Sequence, residues 1–100
     1  MYAYASGNWL VKKGKEAEFV RMWHDWLEWA RDNAEGFKWA KLTRSVDDPR
    51  RFVSFSEWES EKARADWREH KRFQDGLESL RAITDEFVGG NYNEEISIQV

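Results

Sequence analysis

The sequence predicts an α+β fold in the order strand, helix, strand, strand, helix, strand, with an antiparallel sheet covered by helices on one face. Three observations carry this. Alternating stretches open the chain, recur in its middle and close it; between them lie two long runs with apolar residues at threes and fours; and Asp47-Asp48-Pro49-Arg50 is a turn short enough to make the middle pair a hairpin. One hundred residues, 1–100, form a single domain, large enough to bury a core but with little surplus stability.

Tyr2 to Val11 alternates small with large residues, is rich in Tyr, Trp, Leu and Val, and stops at Lys12-Lys13-Gly14, which predicts the first strand. Period two puts Tyr2, Tyr4, Ser6, Asn8 and Leu10 on one face and Ala3, Ala5, Trp9 and Val11 on the other. From Lys15 to Ala34, Phe19, Met22, Trp23, Trp26, Ala30 and Ala34 recur at helical spacing, and Gly36 is the stop signal. With Val20, Leu27 and Trp29 added, the apolar arc covers about half the circumference, more than the ~100° stripe of a surface helix. The excess implies a cavity wall or a partner surface. His24 falls on the opposite, charged arc and reads as a solvated side chain.

Phe37 to Ser45 and Phe52 to Trp58 are the two strands of the hairpin, with Phe52, Ser54, Ser56 and Trp58 sharing a face. Ser60 followed by Glu61 is a helix start, Ser as N-cap and a carboxylate in the first turn. Ala63, Trp67, His70, Phe73, Leu77, Leu80, Thr84 and Phe87 then keep helical spacing, so period alone predicts one helix of roughly 26 residues that ends at Gly89-Gly90. Tyr92 to Val100 alternates and is expected to be the last strand. This order is the ferredoxin-like βαββαβ arrangement, whose sheet has helices on one face only. Because the strands carry large apolar side chains on both faces, the uncovered face is expected to be the interface of a homodimer.

Composition excludes several function classes. Apolar residues are 41% and charged residues 35%, an ordinary balance, but 16% aromatic with seven Trp exceeds what a small core needs and predicts a flat or apolar ligand or a second subunit. A net charge of −3, with Lys and Arg interleaved with acids, offers no field for nucleic acid. No run approaches the roughly 18 apolar residues of a membrane span, and the N-terminus lacks the layout of a signal peptide, so a cytoplasmic protein is expected. Without Cys there is no thiolate nucleophile or Cys-based zinc site. No Gly-rich phosphate loop, metal-spaced His pair or nucleophile motif points to NAD, flavin or metal.

Asn8 before a Gly-bounded turn and Glu18-Phe19-Val20, Gly36-Phe37 opening the second strand, and above all Asp47 to Phe73 (DDPRRFVSFSEWES…A…W…F) resemble the antibiotic biosynthesis monooxygenase family of the dimeric α+β barrel superfamily. The resemblance covers nearly the whole chain. It implies a homodimer whose two sheets form a barrel, a pocket between sheet and helices in each subunit, and a helix break near Glu69 to Arg72. Members of the superfamily include cofactor-free monooxygenases of polycyclic aromatic polyketides and haem-degrading monooxygenases. Both use an Asn on the first strand and a Trp in the second helical region, positions matched by Asn8 and Trp67. The haem-degrading branch also needs an iron-ligating His where this chain has Leu77; His70 lies on a different turn. No cofactor is therefore expected.

Oxygenation without a cofactor requires an electron-rich substrate, usually a phenol or hydroquinone ionised to its anion, which passes an electron to O₂. The protein supplies an apolar slot that excludes water and a donor for the developing oxygen anion. Asn8 offers an amide N–H and Trp67 an indole N–H as the catalytic donors. Trp23, Trp26, Phe55 and Phe73 offer aromatic walls, with His70 and Leu77 completing the substrate-binding set. The same residues also have plain structural uses: Asn8 bonding backbone near Gly7, Trp67 and the other aromatics as core, His70 at a helix end. A pocket protein without oxygenase chemistry, a stress-associated dimer and a polyketide cyclase share these features, since fold alone does not select among them.

Overall fold

Three of the alternating stretches form β1 (Ala3–Val11), β2 (Phe37–Arg44) and β3 (Arg51–Trp58) in a computed structural model describing residues 2–100. The helical stretches form α1 (Glu16–Asn33), α2 (Glu61–Glu69) and α3 (Lys71–Ala82), and β4 (Thr84–Asn93) closes the order. The sheet runs β2-β3-β1-β4, with every neighbouring pair antiparallel. This is the ferredoxin-like arrangement expected, with three helices.

Strand parity decides which residues meet the helices. On β1 the odd positions Ala3, Gly7, Trp9 and Val11 are buried, and on β3 the even positions Phe52, Ser54, Ser56 and Trp58 are. Trp9, Phe19, Phe52, Trp58 and Leu80 are at most 2% exposed and make the centre of the core. Burying each such side chain contributes about 1.5–3 kcal/mol. Trp9 meets Phe19 edge-on at 5.2 Å between ring centres, and Phe19 meets Phe52 at 5.1 Å.

On α1 the buried set is Phe19, Trp23, Trp26, Leu27 and Ala30, one stripe at threes and fours, with Glu16 and Glu18 in the first turn and Arg31 in the last complementing the helix dipole. Gly36 makes the turn into β2 with φ of +84°, and a β-carbon there would lie 2.5 Å from Ala63 Cβ, so this position excludes a side chain twice over. Ser60 caps α2 as expected, its Oγ accepting the Ala63 N–H at 3.1 Å.

The helix break lies at His70. Its extended backbone (φ −69°, ψ 140°) ends α2, and its Nδ1 accepts the Arg72 N–H at 2.9 Å to cap α3. Apolar spacing runs through the break because α3 continues to face the same sheet.

The end of the chain differs from the expectation. Helix α3 stops at Ala82, and the fourth strand is Thr84–Asn93, not Tyr92 to Val100. Thr84 and Phe87 kept helical spacing by coincidence, and Gly89-Gly90 is strand interior, paired with Gly7 and Ser6. Rings replace the missing side chains: a β-carbon at Gly89 would lie 2.9 Å from Phe87 Cζ, and one at Gly90 2.7 Å from Tyr92 Cε2. Residues 94–100 have no regular structure, and Ile98 there is 91% exposed.

Candidate active site

Between the sheet and the helices lies a cavity of about 50 Å³. Its floor is the middle of the sheet at Gly7, Ser54 and Ser56, its walls are Trp26, Trp67, Phe73 and Leu77, and Arg68 stands at its edge. Gly7 and its cross-strand partner Gly89 present no side chains to the cavity. Trp9 folds back into that gap, its Nε1 2.5 Å from where a Gly7 β-carbon would sit. At 50 Å³ the chamber is far below the ~300 Å³ lower limit of ordinary small-molecule sites.

Trp67 is the hub of the aromatic wall. It stacks on Trp29 at 5.9 Å and on Trp58 at 6.1 Å, and meets Phe73 edge-on at 5.4 Å. It is 4% exposed, and its indole N–H makes no hydrogen bond to the described residues. The unbonded side-chain polar atom that is fully sealed among those residues is Trp26 Nε1 instead. That ring is pressed against α3, with Nε1 2.4 Å from where a Gly76 β-carbon would sit.

The floor carries two buried hydroxyls. Trp9 Nε1–H donates to Ser54 Oγ at 3.0 Å, and Trp58 Nε1–H donates to Ser56 Oγ at 2.9 Å. Each serine thus accepts from an indole while its own O–H has no acceptor among the described residues, leaving that proton for a guest in the cavity. These hydroxyls were not picked out as site residues from sequence. Their signal was legible: two serines alternating with aromatics on a strand face otherwise held by Phe52 and Trp58.

The structure brings Trp23, Trp26, Trp67, Phe73 and Leu77 together around the cavity. It does not bring Asn8 there. Asn8 is an even position of β1, exposed on the open face of the sheet, where its Oδ1 accepts from Arg51 Nη1 at 2.9 Å. Asn8 and Trp67 therefore lie on opposite sides of the sheet, and the expected donor pair does not form within one chain. Phe55 also lines the cavity, bordering its floor from β3, while its side chain alternates toward the open face and is 42% exposed. His70 is exposed, caps α3 and lies against Trp29 at 4.8 Å, outside the cavity lining. His24 is solvated as expected, beside Asp25 and Glu28.

Fold and cavity together define a small α+β protein with an apolar chamber between sheet and helices that carries a few polar donors. The sequence profile of the antibiotic biosynthesis monooxygenase family matches residues 4–79, and the chain belongs to that family. It is similar in structure to SnoaB, a cofactor-independent oxygenase from Streptomyces nogalater, with a TM-score of 0.86 and 18% identity over 97% of this chain and 96% of that one. A conserved protein from Methanosarcina mazei Go1 superposes with a TM-score of 0.84 and 18% identity over 95% and 94% of the two chains. A protein from Shewanella oneidensis gives 0.81 and 17% over 91% and 88%. At these identities the likeness is one of fold. No curated protein matches the sequence. No helix among the described residues is long and apolar enough to cross a membrane.

Proposed function

We propose that this protein is a cofactor-independent monooxygenase, or quinone-forming oxidase, of an aromatic, polyketide-like phenol or hydroquinone. The observation that carries the reading is the apolar cavity with Trp67 in its wall and the Ser54 and Ser56 hydroxyls on its floor, each with a proton to donate. The substrate anion passes an electron to O₂, the two radicals join through a carbon–oxygen bond, and loss of water leaves a carbonyl. For an anthrone-type substrate a ring CH₂ plus O₂ thus gives C=O plus H₂O, whereas a hydroquinone passes two electrons and two protons to O₂ and gives the quinone plus H₂O₂. Trp67 N–H and the serine O–H groups stabilise the oxygen anion that develops, in a site that excludes bulk water. A ring enters only when Phe73 and Leu77 move away from the sheet, and the break at His70 lets α3 move without unwinding α2.

Its partners are the substrate, O₂ and a second copy of the chain. The open sheet face carries Tyr2, Phe55, Val88 and Tyr92 exposed, an apolar surface that supports a homodimer. The working place of such a protein is the cytoplasm. A ligand-binding protein without oxygenase chemistry is the second reading, favoured by the position of Asn8 outside the cavity.

The test is incubation with an anthrone or a naphthol-type hydroquinone. Air is expected to give the quinone and anaerobic incubation no product, with Trp67→Phe slowing turnover by roughly a hundredfold and Asn8→Ala leaving it unchanged. Equal rates in wild type and Trp67→Phe would remove Trp67 from the mechanism. Absence of turnover with bound ligand would favour the second reading.

A further inference from the structure

We propose that Arg68 recognises a negative charge on the ligand, so that the cavity takes a planar aromatic carrying a carboxylate or an ionised phenol in preference to its neutral counterpart. The proposal rests on the reading above for where the ligand sits, not for what happens to it.

Among the described residues, Arg68 is the sole ionisable side chain lining the cavity. It projects from α2 one residue beyond Trp67 and is half-buried at the edge of an otherwise apolar and hydroxyl-lined space. Its partners are neutral. Arg68 Nη1 donates to Asn91 Oδ1 of β4 at 2.9 Å, and the guanidinium lies over the Phe73 ring at 5.4 Å. No carboxylate among the described residues pairs with it. Arg31, Arg50 and Arg51 have carboxylate partners, whereas Arg21, Arg44, Arg64, Arg72 and Arg81, like Arg68, have none among the described residues; what sets Arg68 apart is that it lines the cavity.

Asn91 is the informative neighbour. An aspartate there would reach the same guanidinium nitrogen and neutralise it, whereas the amide holds the fork in position and leaves its charge uncompensated. The remaining N–H groups of the fork suit the planar, paired oxygens of a carboxylate or a phenolate oxygen, and such charge-assisted bonds are roughly twice as strong as neutral ones. Arg68 also bridges α2, Phe73 of α3 and β4 across the cavity edge. An anion bound by the remaining N–H groups leaves the Asn91 contact in place, so the fork is held while it takes the ligand.

The probes are 2-naphthoate and 2-naphthamide, which share a ring and nearly a volume but differ in charge, titrated calorimetrically against the whole chain. Wild type is expected to bind the naphthoate at least about tenfold more tightly, with the preference shrinking as NaCl rises. Arg68→Gln should bring the two affinities within about twofold of each other, whereas Arg31→Gln, with the same change of net charge, should keep the wild-type preference. Asn91→Asp supplies a second variant with Arg68 intact: an internal carboxylate should remove the preference even if Arg68→Gln fails to fold. Equal affinities in wild type, a preference that survives both variants, or binding of neither probe would overturn the proposal. Anion preference without turnover of any hydroquinone would sink only the oxygenase reading, and turnover without anion preference would sink only this one.

Discussion

On the helix-covered face of the sheet the polar groups of β1 and β3 are hydroxyls bonded by indoles, Trp9 to Ser54 and Trp58 to Ser56. On the open face they are charged or strongly polar: Arg51 reaches Asn8 and Glu86, and the Tyr4 hydroxyl donates to Glu57 at 2.6 Å with Glu94 also 3.0 Å away. The same strands make both faces, one residue out of step. A neutral hydroxyl with one indole partner is tolerated beside a largely apolar cavity, where an unpaired charge is costly. At the open face Asn8 and Glu86 are exposed to water, whereas the buried Glu57 is held by the Tyr4 hydroxyl. Odd positions of β1 and even positions of β3 face the cavity, so Asn8 and Ser54 lie on opposite sides of the sheet, and under the proposed reading the donor is Ser54.

The largest test of that difference is Trp58→Ala, which is expected to destabilise the fold by about 3–5 kcal/mol, read from the urea midpoint at fixed protein concentration. An effect under about 1 kcal/mol would mean that the covered face is not the core. Next comes Ser54→Ala, which leaves the buried Trp9 N–H without its acceptor and should cost about 1–3 kcal/mol, against no more than about 0.5 kcal/mol for Ser6→Ala next to it on the other face. Equal effects of the two serine variants would break the comparison.

Phe55→Asp probes the open face as a dimer surface: sedimentation should show wild type dimeric at micromolar concentration and the variant at least about tenfold weaker in self-association, or 1.4 kcal/mol. A wild-type monomer would end the homodimer proposal. The smallest expected effect is alkaline. The hydrogen bond to Glu57, together with desolvation and the bond to Glu94, raises the Tyr4 phenol above its ordinary pKa of 10.0. Above pH 10 the unfolded chain loses that proton while the folded one keeps it, so stability present below pH 10 falls as pH rises toward the folded pKa. Tyr4→Phe should flatten this part of the stability profile, and an unchanged alkaline slope would show that the phenol proton is not held by the fold.

Legibility in sequence followed the strength of the periodic signal. Strands β1 to β3 and helix α1 were readable within a residue or so, because alternation and three-four spacing there report burial on one face. The break at His70 was not visible in spacing, and only the family resemblance implied it. Strand β4 was misplaced because Gly89-Gly90 looks like a stop locally, whereas the space above both glycines is filled by Phe87 and Tyr92. Trp67, placed by helical spacing among the apolar residues of the second helical run, is buried against Trp58 of the sheet. The serines were visible as a pair but had no assigned role until the indole partners, 45 residues apart for Trp9 and Ser54, were brought together.

The sequence by itself determined the order of elements, the two faces of each strand and the absence of a cysteine or a phosphate-loop motif, because these depend on local period and residue type. Tertiary structure decided which strand face the helices cover, and with it the fate of each candidate. Parity says that Asn8 and Trp9 point opposite ways, but only packing against α1 and α2 says that the side with Trp9 is the inner one. The size of the cavity was likewise beyond the sequence: seven Trp predict a flat or apolar ligand or a second subunit but fix no volume, and the way these rings stack on one another leaves about 50 Å³.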